Sequence, residues 1–195
     1  MAKSKAKRKS KTARRGKSPQ RPSATANSPD AVALLKADHR EVEGWFEAFE
    51  GARTTRRKLD LAQKICTALA VHATIEEEIF YPAFLAATED RAIHHEAAVE
   101  HDGAKKLIAQ IESSGPQDDY YDAKVKVLSE MIKHHVKEEE QRGGMFAEAR
   151  QSRMDLKALG EAMLARKQQL MGEAGGGRSR VRARLGDDRS AFLSA

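Results

Sequence analysis

The chain has 195 residues, of which 35 are Lys or Arg and 29 are Asp or Glu. Charged residues make up 33% of it and aromatic residues 5%, which is typical of a soluble helical protein. No apolar run in the sequence approaches the ~20 residues that a membrane span needs. A single cysteine, Cys66, excludes an intrachain disulfide, and the basic N-terminus lacks the apolar segment of a secretory signal. We therefore expect a cytoplasmic protein.

The positive charge is concentrated at the N-terminus. Residues 1–27 contain ten Lys or Arg and no acid, whereas residues 28–171 carry a net charge of −6. Since residues 1–28 have almost no apolar bulk, we predict a disordered basic tail there. Such a tail either binds nucleic acid without sequence specificity or only keeps the chain soluble. The candidate polyanion-binding residues are Lys3, Lys5, Lys7, Arg8, Lys9, Lys11, Arg14, Arg15 and Lys17.

Helical periodicity begins after this tail. Apolar residues recur every three or four positions over residues 29–50, which predicts a first helix with Ser28 as its N-cap. The same spacing predicts a second helix over residues 55–87. Pro82 removes one backbone donor in that helix, so we expect a kink or a break near Tyr81.

Two further helices are predicted in the middle of the chain. The third covers residues 89–113 and ends before a Gly-Pro pair, which is a stop signal. The fourth begins near residue 118 and ends within residues 142–150. Gly143 and Gly144 weaken that end, so we expect the helix to bulge or unwind there.

Four helices of this length joined by short links predict an all-α fold. The natural arrangement is an antiparallel, up-down-up-down four-helix bundle over residues 29–150. A weaker helical pattern over residues 154–171 predicts a short fifth helix within the segment 151–171. The Gly-rich residues 172–195 are predicted to be a disordered tail.

Six polar residues interrupt the apolar stripes of the four helices: His39, His72, Glu76, His101, His135 and Glu139. His72 and Glu76 are four residues apart, as are His135 and Glu139, so each pair shares a helix face. A buried imidazole or carboxylate is costly unless it is paired or bound to a metal. Six nitrogen and oxygen ligands suit two iron ions, or manganese, better than a structural zinc, with Glu76 and Glu139 bridging the two ions.

Two alternatives remain open at this point. A single histidine on a helix face is more often an ordinary surface or core residue than a metal ligand. His134 and Glu138 also have the four-residue spacing and offer a second frame on the fourth helix. The apolar stripe through Leu128 and Ile132 favours His135 as the inward-facing residue.

These motifs together resemble the hemerythrin-like (HHE cation-binding) domain family. The family's elements are matched in order by L-x-x-D-H at residues 35–39, H-x-x-x-E-E-x-x-F-Y-P at 72–82, E-H at 100–101 and H-x-x-x-E at 135–139. The resemblance covers residues 29–150. It implies that the six residues above are the ligands of a non-haem di-iron centre.

The resemblance also implies a function. Oxygen-carrying members have a further histidine one turn before the ligand on the third helix, where this chain has Ala97. We therefore expect a protein that binds or senses oxygen, peroxide or nitric oxide, or that handles iron, rather than an oxygen carrier. The alternatives are a di-iron enzyme that consumes peroxide or ferrous iron, and a nucleic-acid-associated protein that uses the basic tail.

Overall fold

The computed structural model describes residues 28–88 and 90–187, with side chains as far as residue 175. The predicted N-terminal tail, with all nine candidate polyanion-binding residues, therefore lies outside the described residues, as does the segment 188–195. The described part is all-helical, without a strand. Its α-helices are α1 (Ala31–Glu50), α2 (Thr55–Ile75), α3 (Tyr81–Ala87), α4 (Arg91–Ser113), α5 (Tyr121–Glu140), α6 (Met145–Gln151) and α7 (Leu156–Asp187). None of these helices has the length and apolarity needed to span a bilayer.

Helices α1, α2, α4 and α5 form the predicted up-down-up-down bundle. Helix α1 packs against α2 and α5, and α4 packs against the same two helices. Two layers of buried apolar side chains fill the bundle. One layer includes Val42 and Leu69, and the other includes Leu35 and Phe80. On each helix the predicted polar site residues lie between the two layers, so water is excluded from both sides of the site.

Aspartate side chains start two of the bundle helices. Asp30, rather than the predicted Ser28, is the N-cap of α1 and accepts a hydrogen bond of 2.8 Å from the backbone N–H of Ala33. Asp90 caps α4, accepting from the first free N–H groups of that helix. Helix α4 thus begins at Arg91, and the predicted start at Glu89 lies outside the described residues.

The predicted irregularities occur where the sequence breaks the helical pattern. A π-helical turn, Glu76–Phe80, joins α2 to α3, and Pro82 lies in the first turn of α3, where its missing N–H is tolerated. Helix α5 begins at Tyr121, slightly later than predicted, and already ends at Glu140. The chain turns into α6 at Gly143, whose φ is 80°. A glycine suits this position, because a residue with a side chain rarely adopts this conformation.

Helix α7 is longer than the predicted fifth helix and packs on α1, α2 and the π-helical turn. The sequence predicted a disordered tail over residues 172–195, whereas the structure continues the helix to Asp187, and the rest of that tail lies outside the described residues. Ala, Glu and Arg between the glycines are strong helix formers, and extending an existing helix avoids the cost of nucleation. Gly160 allows close contact with α1, because a Cβ there would lie 2.4 Å from the carbonyl oxygen of Pro29.

Candidate metal centre

The structure brings the four predicted histidines together as two pairs in the middle of the bundle. The Nε2 atoms of His39 and His72, from α1 and α2, are 3.1 Å apart. Those of His101 and His135, from α4 and α5, are 3.3 Å apart. All four imidazoles are buried, and each presents Nε2 to the bundle axis.

The two predicted carboxylates lie between these pairs. Glu76 Oε2 is 3.3 Å from Nε2 of His72 and 3.4 Å from Nε2 of His101. Glu139 Oε2 lies 3.4 Å and 3.6 Å from Nε2 of the other imidazole in each pair. Each carboxylate thus contacts one histidine of each pair and lies between the two pairs.

The carboxylate oxygens provide a test of whether a cation fits. All four oxygens of Glu76 and Glu139 are buried and have no hydrogen-bond partner. Burial and the neighbouring charge of Glu76 raise the pKa of Glu139 to about 8. Burial also opposes ionisation of Glu76, but His72 and His101 outweigh it and hold its pKa well below the ordinary value. A cation would offset the cost of ionising Glu139 and would give the four buried oxygens a partner, so the residues fit a metal.

The two histidines of the first pair have very different pKa values. Burial acts to lower the pKa of His72, but the charge of Glu76 and the Asp38 carboxylate raise it to about 10. Burial and the neighbouring His72 lower the pKa of His39 to about 4. The same centre therefore holds protons that a metal ion would have to displace.

The site also contains four acids that the sequence did not predict, which we call the outer carboxylates. Each lies beside Nδ1 of a histidine on the next helix around the bundle, and this N–H can donate to it. The four contacts are Asp38 with His72 at 3.5 Å, Glu77 with His101 at 2.9 Å, Glu100 with His135 at 2.8 Å and Glu140 with His39 at 2.8 Å. A proton held at Nδ1 leaves the Nε2 lone pair directed at the centre.

Cationic or polar groups hold the outer carboxylates in turn. Lys105 on α4 contacts Glu77 at 2.6 Å, and Arg40 on α1 contacts Glu140 at 2.6 Å. The exposed His134 lies 3.5 Å from Glu100. Asp38 differs, because its cation, Lys167, comes from α7 and thus from outside the four-helix bundle.

The outer carboxylates have a signal in the sequence, since each is the immediate neighbour of a predicted ligand. Asp38 precedes His39 and Glu100 precedes His101, whereas the other two follow Glu76 and Glu139. The facing histidines are separated by 33 residues in the first half of the bundle and by 34 in the second. The two halves thus repeat one pattern of ligands and supports.

Aromatic side chains close the end of the site nearest α3 and α6. The Tyr81 hydroxyl is 3.3 Å from Nε2 of His101. The ring of Phe146 stacks on His39 with centroids 5.8 Å apart. Burial and the nearby carboxylates raise the pKa of Tyr81 well above its ordinary value, so its hydroxyl keeps its proton and can donate it to a hydrogen bond. Ala97, one turn before His101, is buried in the apolar layer that also contains Tyr81.

The second frame on α5 lies outside the centre. His134 is 59% exposed, and its Nε2 is 3.3 Å from Glu138. His135 and Glu139, four residues apart like this pair, face the bundle axis instead. The geometry therefore agrees with the apolar stripe, which favoured His135.

Comparison with known proteins identifies the family. Residues 30–143 match the family model of the hemerythrin HHE cation binding domain. The chain belongs to this family. The fold is similar to the crystal structure of a hemerythrin HHE cation binding domain-containing protein from Mycobacterium kansasii, with a TM-score of 0.58 and 21% identity over 79% of this chain and 93% of that chain. No curated protein sequence matches this chain.

Family membership confirms the predicted resemblance and the helical fold. A hemerythrin HHE domain binds metal cations, and two groups of buried His and Glu residues in this chain are close enough to hold them. Helices α6 and α7 follow the matched residues and are additions of this chain to the matched segment.

Proposed function

We propose that this hemerythrin HHE domain holds two iron ions and binds or senses a small ligand: oxygen, nitric oxide or peroxide. The observation that carries the proposal is the set of four buried, unpartnered oxygens of Glu76 and Glu139, which face four Nε2 atoms. Buried carboxylate oxygens without hydrogen bonds persist in a core only where something offsets their desolvation. Iron bound among them would supply a redox-active Lewis acid.

The arrangement of ligands supports two ions rather than one. His39 and His72 converge on one side, while His101 and His135 converge on the other. The carboxylates lie between the pairs and contact both. Four imidazoles and two carboxylates are more than a structural zinc takes, and the mixed nitrogen and oxygen set suits iron, or manganese.

A small cavity beside the histidines supports a small ligand. Its volume is about 30 Å³. A single water needs about 10–15 Å³ on this measure, so the cavity is of the size of a diatomic molecule or peroxide. The lining beyond Asp38, Lys105 and the four histidines is apolar: Val42, Leu69, Ala73, Ala104, Ile108, Ile132 and Val136. Weakly polar molecules such as oxygen and nitric oxide partition well into such a space.

The chain's own groups would prepare the site for this ligand. The outer carboxylates hold the Nδ1 protons and orient the imidazoles. The aromatic side chains of Tyr81 and Phe146 exclude water, and the Tyr81 hydroxyl is a neutral hydrogen-bond donor beside His101. These roles need no turnover, so we favour binding or sensing over catalysis.

An enzyme that consumes peroxide or ferrous iron is the second candidate. The observation in its favour is the pair of carboxylates among the ligands, because anionic oxygen ligands stabilise the oxidised metal. Sustained turnover of peroxide or ferrous iron that is lost in His72→Ala would establish this activity. Stoichiometric binding without turnover would reject it.

Two neighbouring histidines on α5 provide a matched test of the proposal. His134 and His135 each have a glutamate four residues later, but only His135 faces the centre. Each protein is reconstituted anaerobically with ferrous iron, and its iron content and optical spectrum are measured before and after exposure to air. We expect two irons per chain in the wild type and in His134→Ala, and fewer in His135→Ala. A wild-type chain that retains no iron or manganese refutes the proposal.

A further inference from the structure

Asp38 is the outer carboxylate that depends on α7. Its side chain is buried, with Oδ2 placed 3.5 Å from Nδ1 of His72 and Oδ1 in contact with Lys167 Nζ. This contact to histidine is the longest of the four, since the others are 2.8–2.9 Å. The His72 imidazole thus has the most distant outer carboxylate of the four histidines.

We propose that Lys167 is a positioning residue of the metal centre, which acts through Asp38 to hold His72 in its ligand orientation. The inference rests on the proposed function. Without Lys167, Oδ1 of a buried carboxylate would lose its charged partner, and the carboxylate could rotate away from His72. Helix α7 would then complete a centre whose other supports all come from the matched domain.

The docking of α7 fixes Lys167 at the required place. Gly160 lets α7 approach the start of α1, and Met163, one turn later, is completely buried. Arg166 forms a two-pronged contact with Glu78 of the π-helical turn, at 2.7 Å and 3.0 Å. The close approach at Gly160 and the buried Met163 set the rotation and the height of α7, so Lys167 faces Asp38, whereas the Arg166–Glu78 ion pair is largely exposed and adds little.

This arrangement couples α7 to the metal centre in both directions. If α7 strengthens metal binding through Lys167, then bound metal must strengthen the docking of α7 by the same factor. The amide hydrogens of α7 should therefore exchange more slowly in the iron-loaded protein than in the metal-free protein. This readout does not depend on any activity.

Arg166 provides a matched control, since it also joins α7 to the bundle, but Glu78 contacts none of the histidines. The full-length Lys167→Met, Arg166→Met and Lys167→Arg proteins are loaded with ferrous iron, and iron release to a competing chelator is followed. We expect Lys167→Met to weaken retention by about 10–100-fold, the usual loss for the support of a metal ligand. Arg166→Met should change it by less than about 3-fold, and Lys167→Arg should restore most of the retention.

Asp38→Asn extends the test to the path of the effect. If Lys167 acts through Asp38, adding Lys167→Met to Asp38→Asn should weaken iron retention no further. The inference is overturned if Lys167→Met releases iron no faster than Arg166→Met, or if the two substitutions add fully. A wild-type chain without metal would instead refute the proposed function, so the two failures can be told apart.

Discussion

The two halves of the bundle carry the same ligands but different supports. In both α1–α2 and α4–α5, an acid–histidine pair is followed by His-x-x-x-Glu and a further acid. Asp38, one of the two outer carboxylates of the first half, takes its cation from α7, whereas its counterpart in the second half, Glu100, contacts the exposed His134 of the neighbouring α5. The sequence pattern of the ligands is therefore the same in both halves, whereas the group that supports each ligand depends on which helix packs beside it.

The largest expected effect comes from a residue that both halves share. Glu139 contacts a histidine of each pair, so Glu139→Met should reduce the iron content from two per chain to almost none. The same substitution removes a buried, unpartnered carboxylate. The metal-free protein should thus gain about 1–3 kcal/mol of stability at pH 8, measured by urea unfolding.

Glu138→Met on the adjacent, partly exposed position is the control, and should change neither quantity appreciably. A Glu139→Met protein that keeps both irons would show that the halves do not share this ligand.

Protons compete with iron for one ligand in each half of the bundle. His72 and Glu139, whose pKa values are raised to about 10 and about 8, hold protons between pH 6 and pH 8 in the metal-free protein. His39, with its pKa lowered to about 4, does not. Since each proton displaced changes affinity about tenfold per pH unit, iron should bind at least about 100-fold more tightly at pH 8 than at pH 6.

Anaerobic titration at both pH values, with proton release recorded in weak buffer, measures this effect. Affinity that is independent of pH would mean that the metal displaces no proton from these side chains.

Loosening α7 should weaken iron binding in the first half of the bundle less than the loss of a ligand does. A Cβ at Gly160 would meet the Pro29 carbonyl oxygen at 2.4 Å, so Gly160→Val should destabilise the protein by about 1–3 kcal/mol and weaken iron retention. A Cβ at Gly172 on the same helix would have no neighbouring atom within 4 Å, and Gly172→Ala should be neutral or slightly stabilising. Thermal unfolding and chelator release test both variants, and equal behaviour would argue that α7 does not support the centre.

Much of the fold follows from the sequence because the helices are strongly periodic. The apolar stripes predicted the four bundle helices, and the stripe through Leu128 and Ile132 favoured His135 as the inward-facing histidine of the fourth helix. The first residue of α1 did not follow from the sequence, because Ser28 and Asp30 are both good N-caps and only the backbone conformation distinguishes them.

The outer carboxylates could not be assigned from the sequence alone. Neighbours such as Asp38 and His39 point to different sides of a helix, so an acid beside a ligand must reach a different histidine. Which one it reaches depends on the order of helices around the bundle. The contact of Lys167 with Asp38 spans 129 residues and depends on the docking of α7, which no local pattern encodes.

Anomalous X-ray diffraction at the iron absorption edge, on crystals of the iron-loaded wild-type protein, tests the central claim most directly. The account predicts two peaks within the buried cluster, one beside Nε2 of His39 and His72 and the other beside Nε2 of His101 and His135. A single peak, or iron bound elsewhere on the chain, would contradict it.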